Sequence, residues 1–228
     1  MKKIVVCGDS FCASDNHDRD HFSQILEDDH GYKVVNFARG GTDNIHICFQ
    51  IKEAIEHKAD IIIYSRTDSA RMTVPVTGKA FDPTGNTLHN FAYPYPLEST
   101  FGKPYVGGVD APFLSMTFHN LLPQTDPTVQ FLHEQHVKVS DEIKEAVKMY
   151  VTFLYDRELK RITEKWMYGY WNNEVIKNNI QLLVFNDGVG IPAYKFGLAN
   201  QDYPKVYHTD RDTQLKVVDN ILETIQII

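Results

Sequence analysis

The stretch KIVVCGDS, residues 3–10, decides how this sequence is interpreted. Its apolar, β-branched run stops at Gly8, which is the pattern of a short strand buried in a sheet. Asp9 and Ser10 follow at the carboxyl end of that strand, where open parallel α/β sheets bind their ligands. Ser10 is therefore either a nucleophile or part of an ordinary strand-to-helix turn, since Gly, Asp and Ser all suit turns.

Strand and helix patterns alternate in the sequence that follows this stretch. A helix pattern near residues 20–30 is closed by Gly31, and a second strand pattern covers residues 33–38. Residues 44–58 have the apolar spacing of a helix, and residues 59–65 have the pattern of a third strand. Two consecutive strand–helix units with a third strand predict a parallel sheet with right-handed crossovers.

The rest of the chain contains a long segment with a weaker pattern. Residues 72–125 are rich in Pro, Gly, Tyr and Phe and predict an irregular insertion, and two helices are expected over 126–180. Residues 181–187 then have a strand pattern, and residues 210–228 predict an amphipathic helix. The whole insertion, 72–180, is expected to form a lid or helical elaboration; a covering loop or a contact in a homo-oligomer is the alternative.

Length, composition and charge exclude several classes of protein. Residues 1–228 contain no internal repeat or linker and predict a single α/β domain, long enough to bury a sizeable core. The net charge of −7 argues against a nucleic-acid-binding surface. No signal-peptide pattern follows Met1, and no stretch approaches the roughly 20 apolar residues of a membrane span. The 3 cysteines fit no disulfide framework, which is typical of a reducing compartment. Taken together, these features predict a cytoplasmic protein without nucleic-acid or membrane partners.

Residues that suit acyl transfer follow each strand of the expected sheet. Ser10 follows the first strand, Gly41 and the helix-capping residues 42–44 follow the second, and Thr67 follows the third. His208 comes after the last strand and before the final helix. Because carboxyl-end loops of one sheet converge, serine, histidine and fixed hydrogen-bond donors could meet there as nucleophile, base and oxyanion hole.

Three stretches of the chain resemble sequence blocks of the SGNH/GDSL hydrolase superfamily. They are VVCGDS, VVNFARGGTDN and HTDRDTQLKVVDNIL, and IIIYSRTDSAR falls where a further block lies. The resemblance covers residues 2–69 and about 182–226. It implies a three-layer, flavodoxin-like parallel sheet flanked by helices, with the insertion after the third strand. The first block also resembles that of uncharacterised proteins of large tailed phages, a likeness that carries no function.

The resemblance implies roles for individual residues. Ser10 takes the place of the nucleophile and His208 that of the catalytic histidine. The oxyanion hole is implied at Ser10, Gly41 and Thr67. We expect no cofactor and no metal ion, because no metal-ligand spacing is met.

Two positions depart from the superfamily pattern. Thr67 stands where the third block has an asparagine, and loss of one oxyanion donor typically costs about 10²–10³ in rate. Lys205 stands where an aspartate is expected three residues before the histidine, and its side chain cannot accept the imidazole N–H. Asp202, Asp187 at the end of the last strand, or a backbone carbonyl in a Ser-His dyad could orient His208 instead. Asp202 is the first choice, because it lies in the same loop as the histidine.

Four further side chains flank the expected site and could bind substrate. They are Asp9, Arg39, Asn44 and Arg66. The arginines could bind an anionic substrate group, or they could offset nearby carboxylates.

The residues and the resemblance together favour a serine hydrolase. The expected substrate is an ester, with an acyl or acetyl group on a carbohydrate or a small metabolite. The two departures leave a catalytically degraded binding or assembly module open as an alternative. A third alternative is an acyltransferase that uses the same serine, since one fold hosts unrelated functions.

Overall fold

The architecture is taken from a computed structural model of the chain. The structure describes residues 1–9, 11–13, 21–38, 42–67, 71–75, 113–119, 128–131, 141–186 and 211–227. The chain divides into two compact units, a first unit of residues 1–68 with 164–228 and a second unit of residues 69–163. Each unit contains its own sheet.

Strands and helices alternate at both ends of the described chain. The strands are β1 (Lys3–Cys7), β2 (Lys33–Asn36), β3 (Ile61–Arg66), β4 (Arg71–Pro75), β5 (Phe113–His119), β6 (Thr128–Phe131) and β7 (Gln181–Asn186). The helices are α1 (Phe22–Asp28), α2 (Asn44–Glu56), α3 (Asp141–Phe153), α4 (Arg157–Lys177) and α5 (Arg211–Ile227). Among the described residues, no helix is long and apolar enough to cross a membrane.

The sheet of the first unit has 4 strands in the order β2-β1-β3-β7. Each neighbouring pair is parallel, with Ile4 opposite Val34 and Ile61, and Ile61 opposite Gln181. β1 and β3 are continuous apolar runs because helices cover both faces of such a sheet. The expected α/β fold with a parallel sheet is confirmed.

Helices lie on opposite faces of this sheet. One face carries Ile4, Val6 and Ile63, which share a core cluster with residues of α1 and α5. Tyr64 is the next residue along β3, so its side chain points to the other face. There its hydroxyl is hydrogen-bonded to Cys48 of α2, and its ring stacks on Tyr168 of α4 with 5.2 Å between centroids. The first unit therefore has three layers.

Helix α1 begins at a buried histidine. His21 is its N-cap, and the ring atom Nδ1 accepts the Ser23 N–H at 3.2 Å. The Ser23 hydroxyl lies 2.7 Å from the same nitrogen. The N–H of Phe22 donates to the side-chain oxygen of Gln214 in α5 at 2.8 Å. Burial lowers the pKa of His21 to about 3, so the cap is neutral at physiological pH.

The second unit contains a three-stranded antiparallel sheet in the order β4-β5-β6. Arg71 is opposite Thr117, and Thr117 is opposite Gln130. This sheet differs from the sequence expectation, which described residues 72–125 as irregular and placed only helices over 126–180. β4 and β5 are far apart in the chain, so no turn between adjacent strands marks their pairing.

The two expected helices of the insertion are α3 and α4. α3 and the start of α4, to Thr163, belong to the second unit, and α4 from Glu164 onward belongs to the first. The role of the insertion as a lid stays a prediction.

Candidate active site

The chain leaves β1 through Gly8, and side chains bind both backbone groups of this residue. The Gly8 N–H donates to Gln50 Oε1 at 2.6 Å, and the Gly8 carbonyl accepts from Gln50 Nε2 at 3.1 Å. The Thr42 hydroxyl donates to the same carbonyl at 3.2 Å. Gln50 is buried in α2, so its amide satisfies Gly8 as a neighbouring strand would. These contacts fix the backbone just before Asp9.

The close approach of Cys12 explains why a glycine stands at position 8. A Cβ atom on Gly8 would lie 2.9 Å from both Cβ and Sγ of Cys12, and 3.3 Å from the Cβ of Ser65. Real Cβ contacts are almost never this short, so a side chain at position 8 would push the turn away from β3. The glycine of the GDS stretch is thus required by packing.

Asp9 organises the turn that follows. Its carbonyl accepts the N–H groups of Cys12 and Ala13, both at 3.0 Å. Its carboxylate oxygen Oδ1 accepts the Phe11 N–H at 3.1 Å, as in an Asx turn. Asp9 is fully buried, so its carboxylate takes part in the structure of the turn. Its expected contact with substrate stays a prediction.

A hydrogen bond joins the turn after β1 to the residue that follows β3. The Thr67 hydroxyl donates to Asp9 Oδ2 at 2.7 Å, and both residues are buried. A hydrogen bond to a carboxylate is stronger than one between neutral groups. The hydroxyl proton proposed for the oxyanion therefore points at Asp9 in this structure, and the oxyanion role of Thr67 stays a prediction.

Asn44 holds the backbone of Thr67 from the first turn of α2. Its Oδ1 accepts the Thr67 N–H, and its Nδ2 donates to the Thr67 carbonyl, both at 2.9 Å. Nδ2 also lies 3.3 Å from Oε2 of Glu164 in α4. Asn44 is buried, and substrate contact by its side chain stays a prediction.

Helix α2 begins beside these groups. Asp43 is its N-cap, and Oδ1 of Asp43 accepts the His46 N–H at 3.0 Å. Nδ1 of His46 lies 3.0 Å from the same oxygen. Capping by one of residues 42–44 was expected from the sequence, and the structure assigns it to Asp43.

The carboxyl end of β2 is tied to the same turn. The Asn36 side chain donates through Nδ2 to the Cys12 carbonyl at 2.8 Å and accepts the Ala38 N–H through Oδ1 at 2.9 Å. Together with the Thr67–Asp9 hydrogen bond, this contact joins the ends of three neighbouring strands. The convergence expected at this edge of the sheet is therefore present for the described residues.

Several predicted site residues lie outside the described residues. They are Ser10, Arg39, Gly41, Asp187, Asp202 and His208. The expected contact between Ser10 and His208 and the expected oxyanion hole therefore stay predictions. Arg66 is described, and its side chain is exposed at the end of β3; whether it binds substrate stays a prediction too.

Gln50 and Glu164 belong to this network, and the sequence reasoning missed both. Gln50 occupies a buried position between Ile47 and Ile51 in α2, and a polar residue on the apolar face of a helix could have signalled it. Glu164 had no such signal, because α4 is rich in charged residues.

The thiols near the network are poor nucleophiles. Cys7, Cys12 and Cys48 are free and buried. Burial raises the pKa of the Cys12 thiol well above its usual range, and the charge of Asp9 adds to the shift. Burial likewise raises the pKa of Cys48 to about 12.

In the part of the chain that the structure describes, no group of 3 or more His, Cys, Asp or Glu side chains could hold a metal ion.

Comparison with known proteins gave structural neighbours only. Neither a protein-family model nor a curated protein matches the chain. A structure described as a lipolytic protein of the G-D-S-L family, from Desulfitobacterium hafniense DCB-2, is 13% identical, with a TM-score of 0.37 over 98% of this chain and 99% of that one. TesA is 13% identical, with a TM-score of 0.36 over 98% of each chain. The α/β assignment therefore rests on strand order and register, and the superfamily, phage and cytoplasmic assignments stay predictions.

Proposed function

We propose that this chain is a hydrolase that cleaves an ester, with Ser10 as its nucleophile. The observation that carries the proposal is the hydrogen bond from the Thr67 hydroxyl to Asp9 Oδ2, at 2.7 Å. It holds the turn containing residue 10 against the carboxyl end of β3, on the sheet edge where α/β proteins bind ligands. The Gln50 contacts with Gly8 support the proposal, because they fix the chain on the other side of the same turn.

Each step of the reaction has a proposed residue. The Ser10 hydroxyl attacks the ester carbonyl and gives its proton to His208, which later protonates the leaving alcohol. The N–H groups of Ser10 and Gly41 hold the oxyanion. Asp202, or else Asp187, orients the histidine. Water then hydrolyses the acyl-serine ester and regenerates the serine.

The proposed substrate is a small molecule or a carbohydrate that carries an acyl or acetyl ester. Arg39 and the exposed Arg66 would bind an anionic group on it through charge-assisted hydrogen bonds. The chain would work without a cofactor and without nucleic-acid or membrane partners.

A catalytically degraded binding module is the second candidate. The Thr67–Asp9 hydrogen bond bears on it in a second way, because the same contact that fixes the turn also engages the hydroxyl proton expected to serve the oxyanion hole. Lys205 in place of the usual acid favours it as well. An acyltransferase is distinguished from both by its need for an acceptor alcohol other than water.

A fluorophosphonate probe separates these functions. We expect the wild-type chain to be labelled and Ser10→Ala to remain unlabelled, because only an activated serine attacks the probe. A folded wild-type chain that is not labelled would support the binding module. Release of acid from a panel of acetyl and acyl esters then identifies a hydrolase, and product formation only with an added alcohol identifies a transferase.

The histidine and the acid are tested on the best ester of that panel. We expect His208→Ala to lower kcat strongly, and either Asp202→Asn or Asp187→Asn to lower it while the far-UV circular dichroism stays unchanged. Unchanged turnover in all these variants would mean that the proposed site is wrong.

A further inference from the structure

Glu164 is a buried carboxylate in the part of α4 that packs on the first unit's sheet. Its Oε2 lies 3.3 Å from Nδ2 of Asn44, and both residues are almost fully buried. Burial of an ionised carboxylate is unfavourable unless hydrogen-bond donors compensate for the lost water. The residue therefore contributes something that an apolar side chain at this position would not.

Apolar side chains of α4 also pack in the first unit. One helical turn further on, the Tyr168 ring stacks on Tyr64 of β3, with an interplanar angle of 13°. Val175 is also buried in this part of the helix. These residues supply apolar contacts, and the Glu164 side chain adds a hydrogen bond to Asn44 at 3.3 Å.

That hydrogen bond completes the contacts of the Asn44 side-chain amide. One Nδ2 proton goes to the Thr67 carbonyl at 2.9 Å, and the other is directed at Glu164. Oδ1 accepts the Thr67 N–H at 2.9 Å. The Glu164 carboxylate thus holds the Asn44 amide in the orientation that binds Thr67. Hydrogen bonds connected in this way strengthen one another.

The chain of contacts continues to the turn at the end of β1. With its peptide held by Asn44, Thr67 directs its hydroxyl to Asp9 Oδ2 at 2.7 Å. The other carboxylate oxygen of Asp9 accepts the Phe11 N–H at 3.1 Å. Successive hydrogen bonds therefore connect α4 with the residues on both sides of position 10.

We propose that Glu164 is a positioning residue, which holds Asn44 so that Thr67 and Asp9 fix the turn that carries Ser10. It acts through the Asn44 amide and does not touch substrate. The catalytic consequence rests on the proposed hydrolase function, whereas the effect on Thr67 can be measured without any activity.

Three variants test this role. Glu164→Ala removes the acceptor, and Glu164→Gln keeps an oxygen that can accept from Asn44 without the charge. Glu174→Ala is the matched control on the same helix, because Glu174 pairs with the exposed Lys177 at 2.6 Å and lies outside the network. Each variant is measured for ester turnover and for hydrogen exchange of the Thr67 backbone amide by NMR.

We expect Glu164→Ala to lower kcat about 10- to 100-fold with little change in KM, since a small displacement of a reacting group has effects of this size. Exchange of the Thr67 amide should accelerate about tenfold, as loss of one buried hydrogen bond implies. Glu164→Gln should recover most of both quantities, and Glu174→Ala should match the wild type.

The outcomes separate this inference from the proposed function. If Glu164→Ala has the wild-type kcat and the wild-type exchange rate of the Thr67 amide, the positioning role is wrong. Loss of turnover in Ser10→Ala in the same experiment would still support the hydrolase function. If Ser10→Ala retains turnover, the proposed function fails and the exchange rate alone decides on Glu164. If Glu164→Ala does not fold, Glu164→Asp, which withdraws the carboxylate by one methylene, is measured with the same criteria.

Discussion

The Gln50 side chain forms hydrogen bonds with both the N–H and the carbonyl of Gly8, at 2.6 and 3.1 Å. An amide side chain has the same donor and acceptor pair as a peptide group, so Gln50 continues the pairing of β1 beyond its last strand residue. A residue of α2 thereby sets the path of the chain into the proposed site. Its removal should affect both stability and the geometry of the turn.

Replacement of this amide by an apolar chain of similar size tests that role. We expect Gln50→Met to lower the free energy of unfolding by about 1–3 kcal/mol, because the Gly8 N–H loses its acceptor in a buried place. Urea denaturation measures the change. Gln24→Met is the control, since Gln24 pairs with Asp28 on an exposed surface, and it should change stability by less than about 0.5 kcal/mol. Equal effects of the two substitutions would contradict the prediction.

Substitution of glycine by alanine should have opposite effects on stability at two positions of the chain. Gly8→Ala places a methyl group 2.9 Å from Cys12 atoms, and we expect a loss of about 1–3 kcal/mol from overpacking. Gly169→Ala, inside α4, places its new Cβ in contact with nothing beyond the adjacent residues and backbone of its own helix, and it should stabilise the protein by roughly 0.5–1 kcal/mol through helix propensity. Thermal unfolding of both variants gives the signs, and a stable Gly8→Ala protein would show that the turn yields easily.

Loss of the Thr67 hydroxyl should destabilise the protein, while loss of its methyl group should not do so to the same extent. Thr67→Val keeps the shape but removes the donor to the buried Asp9 carboxylate, so we expect a loss of about 1–3 kcal/mol. Thr67→Ser retains the hydroxyl and serves as the control. Chemical denaturation at pH 7 compares them, and the prediction fails if Ser and Val variants have the same stability.

Acid should destabilise the protein in part through His21. Its pKa is lowered by burial to about 3 in the folded state, whereas an unfolded histidine has a pKa near 6.5. Between these values the unfolded chain binds the extra proton, so stability is retained above pH 6.5 and falls as the pH drops towards 3. The contribution is at most about 1.4 kcal/mol per pH unit. His21→Asn keeps an N-cap acceptor without this titration, and its denaturation midpoint should fall less between pH 6.5 and 4; equal slopes would contradict the assignment.

The cysteines should react with thiol reagents only when the protein unfolds. Cys7, Cys12 and Cys48 are buried, and burial raises the pKa of each thiol. We expect the native protein at pH 8 to react slowly with an aromatic disulfide reagent, and urea to expose all 3 thiols. Rapid reaction of one thiol in the native protein would show that its surroundings open readily.

The sequence was sufficient to predict the parallel sheet, because its signal is local. The apolar runs of β1, which stops at Gly8, and of β3 could each be recognised without knowledge of their partners. The pairing of β4 with β5 could not, since it depends on contacts between distant segments. Local sequence patterns do not carry that information.

The candidate site was predictable only to the level of residue type. Asp9, Asn44 and Thr67 were placed near one edge of the sheet because they follow strands or begin a helix. That Thr67 would donate to Asp9, and that Asn44 would face Glu164, depends on which way each side chain turns. Those directions are set by packing between layers, which no short stretch of sequence specifies.

The pairing of β3 with β7 has a consequence for synthesis of the protein. About 115 residues separate Arg66 from Gln181, although their strands are neighbours in the sheet. At roughly 5–20 residues per second, a ribosome needs about 6–23 s to make that segment. During this interval a β3 strand already paired with β1 would expose unpaired backbone groups along its other edge, the feature that templates association between nascent chains. Chaperone binding during this interval would protect the edge until β7 arrives.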